Sequence, residues 1–259
     1  MSGPTRSATN VAVLFDLEDT LVKTPWSDHQ HVLEFRRNTR RKLIDLGIPK
    51  NALEGIERST IMRNIASEYV ERRFSEAKAR IYRREMEIFL DQYELDSAKK
   101  SKLFPETIST LEILGQLGAK MGLVTNTSRK AVDFIFQAHA LKRYFDAVVT
   151  RENVRKLKPD PEGILLAIKK LDVRRFLVIG DLMLDVLAAK SANGVAVMIT
   201  RHLEKSQDVF KSLPAESLPE NKRVLRDAGN FQADYVIRSL REVPAIVQAE
   251  EKKTDANLS

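Results

Sequence analysis

The acidic residues of this sequence fall in a pattern suited to chemistry. Directly after an apolar run ending in Leu14 and Phe15 comes Asp16-Leu17-Glu18-Asp19-Thr20, and Asp181 and Asp185 follow a second such run. Thr125-Asn126-Thr127 and Lys158-Pro159-Asp160 stand at two further junctions. Brought to one site, Asp16, Asp181 and Asp185 would repel one another strongly unless a cation lay among them, and hard oxygen donors select Mg²⁺. A carboxylate beside Mg²⁺, the Thr125 hydroxyl, the backbone amide of Asn126 and the Lys158 ammonium together make a receptor for a tetrahedral dianion. Phosphate is the natural guest.

These residues need a scaffold that collects them, and the sequence supplies one. VAVLF at residues 11–15 is a short continuous run of β-branched and aromatic type, as in a strand buried on both faces. Similar runs recur at 121–124, 147–149, 176–179, 195–199 and 234–237, with helical patterns between them at 131–138 and 161–171. Alternation of this kind predicts a parallel sheet covered by helices on both faces, a Rossmann-like α/β core. Ligands of such sheets lie beyond the carboxyl ends of the strands, which is where the acidic and hydroxyl residues fall.

The four motifs together resemble the haloacid dehalogenase superfamily of hydrolases. VAVLF-DLEDT matches its first motif with one change, LVTN its second, KPDP its third and GDLMLD its fourth, while AAKSANG at 188–194 resembles the usual continuation. The resemblance covers the core and implies a phosphoric monoester hydrolase of the phosphoglycolate-phosphatase-like type. Asp16 would attack phosphorus to give an aspartyl-phosphate, and Glu18 would act as acid and base. Thr125 and Asn126 would bind the phosphoryl oxygens, and Lys158 would neutralise charge and orient Asp16. Mg²⁺ would be held by Asp16, the main-chain carbonyl of Glu18, Asp181 and Asp185, the last directly or through water. The departure is Glu18, where most phosphatases of the superfamily carry aspartate: its carboxyl is one methylene further out and must be re-aimed by its surroundings.

Between the first and second strands the alternation fails. The stretch from Ser27 to about Lys102 reads as helix throughout, with a capping box of Ser27 and Gln30 and a stop at Gly47 and Pro49. A second helical region places Ile61, Ile65, Tyr69, Phe74, Ala77, Ile81 and Phe89 on one face and runs to about Tyr93. The expected organisation is a discontinuous core of residues 1–24 and 103–259 with an inserted all-α cap at 25–102, closing over a small phosphorylated substrate. Trp26, Arg36, Arg37, Arg40 and Arg41 are candidate contributors to specificity on closure, though a flanking Trp is more often a packing anchor and most of these arginines are expected to face solvent. The polar segment 201–232 carries no assignable role.

Composition narrows the alternatives. The 259 residues contain no cysteine, which excludes thiolate ligands and nucleophiles, and His29, His31, His139 and His202 form no helical ligand pair. No apolar run approaches the ~18 residues of a membrane span, and a cytoplasmic location is the default expectation. The net charge of +7 sits in two helical runs with no aromatic platform, so nucleic acid is not an expected partner. A non-catalytic binding or regulatory protein on the same scaffold, or a phosphosugar mutase, stand as alternatives. The oligomeric state is not legible.

Overall fold

The computed structural model describes residues 9–201 and 232–258. Along the chain run β1 (Val11–Phe15), β2 (Val22–Lys23), α1 (His29–Asp45), α2 (Ser59–Arg73), α3 (Glu76–Lys99), β3 (Lys102–Leu103) and α4 (Thr107–Gln116). They continue as β4 (Met121–Val124), α5 (Arg129–His139), β5 (Ala147–Val149), α6 (Glu162–Leu171), β6 (Arg175–Gly180), α7 (Met183–Ser191), β7 (Val195–Ile199), β8 (Tyr235–Ile237) and α8 (Val243–Leu258).

Among the described residues six strands form one sheet in the order β5-β4-β1-β6-β7-β8, every pair parallel. After β1 the chain crosses to β4 and β5 on one side, then returns to β6 on the other. The carboxyl ends of β4, β1 and β6 therefore flank a crevice where strand order reverses, the ordinary ligand position in such sheets.

Period-two alternation divides the strand side chains between two apolar layers. Val11, Val13, Phe15, Leu177 and Ile179 pack with Leu111 and Leu114 of α4, Ile135 of α5 and Val247 of α8. Ala12, Leu14, Phe176 and Val178 face Ile164 and Ala167 of α6 and Val186 and Leu187 of α7. Gly122 on β4 is required by close approach, because a Cβ there would lie 2.6 Å from the Leu14 side chain.

The inserted helices α1, α2 and α3 form a cap with a core of its own. Phe35, Leu43, Met62, Ala66, Tyr82, Met86 and Leu90 are buried together, and one residue of the sheet domain, Leu184 on α7, joins them. A small antiparallel pairing of β2 with β3 closes the two chain crossings between cap and core.

Two sequence expectations for the cap need correction. Asp28, not Ser27, caps α1, its carboxylate accepting from the Gln30 backbone N–H at 2.8 Å. The second helical region is two helices, broken at Phe74 and restarted by the Ser75 hydroxyl, which accepts from the Lys78 N–H. The break resets the helical phase, so Ile81 is 61% exposed while Ala79, Tyr82 and Met86 turn inward. Apart from its end residues, segment 201–232 lies outside the described residues, as does His202.

Candidate active site

The loop after β1 is one tight curl: the backbone N–H groups of Leu21 and Val22 both donate to the Leu17 carbonyl, at 2.9 and 3.1 Å. Asp19 adopts a left-handed conformation at φ 55°, which short acidic side chains tolerate. This curl aims Asp16 and Glu18 over the sheet edge while Leu17 and Leu21 point into the core. The Asp16 N–H continues the sheet, donating to the Ile179 carbonyl on β6 at 2.9 Å.

Lys158 stands at the centre. Its buried ammonium donates to Asp16 Oδ1 at 2.7 Å, Asp185 Oδ1 at 2.5 Å and the Val124 carbonyl at 2.9 Å. These three partners come from the curl after β1, from α7 and from the end of β4. Burial would lower the lysine's pKa, but the charges of Asp16 and Asp185 outweigh it and hold the ammonium well above the usual lysine range.

Carboxylate oxygens of Asp16, Asp181 and Asp185 lie within 4.8 Å of one another. Asp16 is pushed up to about 6, chiefly by burial, with Lys158 opposing and Asp185 adding to the rise. Asp181 is raised well above its ordinary value by burial and then by the charges of Asp16 and Asp185. One ammonium against three converging carboxylates leaves a net negative pocket built of hard oxygens, which fits a divalent cation such as Mg²⁺. Asp185 is fixed from two sides, its Oδ2 accepting from the Leu182 N–H at 3.1 Å while Oδ1 takes Lys158. Gly180 makes room for it: a Cβ at position 180 would fall 2.2 Å from the Asp185 carboxyl carbon.

Thr125 is buried at the end of β4, its N–H on the Val149 carbonyl at 3.0 Å. The Asn126 side chain is spent on the Lys158 backbone, accepting from its N–H at 3.0 Å and donating to its carbonyl at 3.3 Å. Sequence reading assigned the Asn126 backbone amide to the substrate; its side chain, for which no role was read, holds the lysine loop. A second clasp on this loop was not read from sequence at all: Asn64 of α2 accepts from the Leu157 N–H and donates to its carbonyl, both at 2.9 Å. No spacing signal could have found it, because the two residues belong to different domains.

Glu18 is aimed by two side chains. Trp26 Nε1 donates to its Oε1 at 2.8 Å and the Thr127 hydroxyl to its Oε2 at 2.6 Å. Burial, partly offset by the Thr127 hydrogen bond, pushes Glu18 up to about 8, so the carboxyl holds its proton at neutral pH. The structure thus brings Asp16, Lys158, Asp181 and Asp185 into one cluster, with Thr125 and Asn126 on the lysine side and Glu18 on the cap side.

The chain belongs to the haloacid dehalogenase-like hydrolase family, whose model matches residues 11–193. It is 33% identical over 139 residues to a phosphoglycolate phosphatase of Vibrio parahaemolyticus serotype O3:K6, a stretch covering 52% of this chain and 61% of that protein. The match therefore spans about three fifths of the Vibrio protein's length. A phosphoglycolate phosphatase of Shigella boydii serotype 4 is 27% identical over 212 residues, covering 80% of this chain and 81% of that protein. Among solved structures, a HAD phosphatase from Thermococcus onnurineus is similar with a TM-score of 0.51 and 28% identity, over 92% of this chain and 97% of that one. Among the described residues no helix is long and apolar enough to cross a membrane.

Proposed function

We propose that the chain is a Mg²⁺-dependent phosphatase that hydrolyses a small phosphorylated metabolite through an aspartyl-phosphate on Asp16. The observation that carries this reading is Lys158, which joins Asp16 to Asp185 at 2.7 and 2.5 Å inside a group of three converging carboxylates. A carboxylate oriented by a buried ammonium, next to a cation pocket, is a nucleophile for an electrophile that itself carries negative charge.

Asp16, Asp181, the Glu18 carbonyl and Asp185 would hold Mg²⁺. When bound, the ion screens the phosphoryl oxygens from the carboxylates around them. In the first half-reaction the free Asp16 oxygen forms a bond to phosphorus as the bond to the leaving oxygen breaks. The departing alkoxide takes its proton from Glu18. Thr125 and the Asn126 N–H donate to the phosphoryl oxygens, and Lys158 offsets their charge. In the second half-reaction a water gives a proton to Glu18 and attacks phosphorus. The Asp16 oxygen leaves, inorganic phosphate departs and both carboxyl groups return to their starting states.

The relatives named phosphoglycolate phosphatase support a small phosphorylated acid as substrate class. The test is phosphate release from p-nitrophenyl phosphate with and without Mg²⁺, for wild type and Asp16→Asn. Release that requires Mg²⁺ and vanishes in the variant is expected; release that survives Asp16→Asn overturns the reading.

A further inference from the structure

We propose that Trp26 is a positioning residue that reaches from the cap to fix the Glu18 carboxyl, making the longer acid serviceable. This rests on the phosphatase reading above. Glu18 has one more methylene, and one more torsion, than an aspartate, so its carboxyl is aimed only if something outside its own loop holds it. Both oxygens are held. Oε1 accepts from the Trp26 indole at 2.8 Å and Oε2 pairs with the Thr127 hydroxyl at 2.6 Å.

The two holders differ in kind. An indole N–H donates and never accepts, whereas a hydroxyl does both. Oε1 is therefore fixed against a donor while Oε2 is fixed by the hydroxyl, and the plane of the carboxyl is set by both. Oε2 meets Thr127, two residues beyond Thr125. Trp26 thereby sets the orientation in which the acid is presented.

The indole is itself immobilised. Its ring packs on His31 and Phe35 with centroids 4.7 and 4.8 Å apart, and Phe35 in turn contacts Phe89 and Tyr93. Tyr93 is tied back to α1 by Asn38 at 2.8 Å. Glu18 lies on the core curl, Thr127 after β4 and Trp26 on the short turn Pro25–Ser27 that opens the cap. The acid is thus fully held only with the first cap helix seated on the core. An aspartate at position 18 would fall short of the indole by about one carbon–carbon bond, ~1.5 Å.

The test is a leaving-group series of aryl phosphates, from p-nitrophenyl to phenyl, with Mg²⁺. A p-nitrophenolate departs without a proton; a phenolate gains from general acid help, worth up to about a hundredfold or more. Trp26→Phe keeps the ring and loses the donor. Its kcat/KM is expected to stay within about twofold on the nitrophenyl ester and to fall at least about tenfold on the phenyl ester. In a Glu18→Asp background, where the indole is out of reach, Trp26→Phe is expected to add less than about a twofold effect. A uniform fall across the series, no fall at all, or an equal cost in the Glu18→Asp background would overturn the proposal. The chain has a single tryptophan, so biosynthetic replacement with a benzothienyl isostere removes only this N–H; it answers the same question if Trp26→Phe fails to fold. Wild type inactive on every ester with Mg²⁺ would instead sink the phosphatase reading itself.

Discussion

At the scale of the residue, the site depends on a missing side chain as much as on those present. Asp185 folds back over the end of β6 because Gly180 offers no Cβ, and in that position it meets both Lys158 and the first turn of α7. Gly180→Ala would drive Asp185 off this seat. The expected cost is about 1–3 kcal/mol in urea unfolding, together with a fall of at least about tenfold in phosphatase kcat/KM; a variant with wild-type rate would show that the seat of Asp185 is irrelevant to turnover. The GD dipeptide was legible in sequence, as were Asp16, Thr125 and Lys158, because strand ends and motif spacing locate them. What could not be read was how side chains are spent. No spacing shows that the Asn126 side chain is committed to the Lys158 backbone, and nothing in the spacing of Glu18, Trp26 and Thr127 announces that they meet.

At the scale of the element, the cap is bound to the core through buried charge. Arg151, beside β5, donates to Asp91 at 2.5 Å and Glu94 at 3.1 Å on α3, with side-chain exposures of 8, 11 and 5%. Glu94 also accepts from the Ser128 N–H at the start of α5, at 2.8 Å. Removing Arg151 leaves Glu94 buried without its cation, while Asp91 keeps Lys130 at 2.6 Å, so Arg151→Ala should cost about 3 kcal/mol by denaturant unfolding. Adding Glu94→Gln to it should recover part of that loss, and no recovery would argue against stranded charge as the cause.

A second tie, Arg201 to Glu106 and to the Thr20 carbonyl, joins the end of β7 to the α4 start and the catalytic curl. Burial alone would raise Glu106, but the hydrogen bond and charge of Arg201 outweigh it and hold the carboxyl below its usual range. The depressed folded-state value means the stabilisation is complete above the unfolded value near 4.5 and is lost as pH falls through the lower folded value. The stability difference between wild type and Glu106→Gln should therefore shrink on acidification below that value, as read from urea midpoints; a constant difference would contradict it. Periodicity found the helices of these elements, yet it ran α2 and α3 together. Amphipathic spacing carries no mark where a helix is broken and restarted in a new phase, and only Ser75 hinted at the restart.

At the scale of the whole molecule, the strand order brings the ends of β1, β4 and β6 side by side. The parallel core was readable because buried strands are short apolar runs separated by helices. The cap was readable only as helical, since its inner faces are set by contacts among its own three helices and with Leu184. The pocket of Asp16, Asp181 and Asp185 should couple to folding stability. Mg²⁺ at a hundredfold over its Kd should add about 2.7 kcal/mol, and Asp181→Asn should abolish most of the gain in a thermal melt. An equal gain in that variant would locate the ion elsewhere. The most direct measurement is of Asp16 itself: mix the protein with excess phosphoglycolate and Mg²⁺, quench in acid within a turnover, and map the peptides by mass spectrometry. The mass of one phosphoryl group on the peptide containing Asp16, absent in Asp16→Asn, is the expected result. Turnover of the ester with no phosphorylated Asp16 peptide at any quench time would contradict the covalent mechanism.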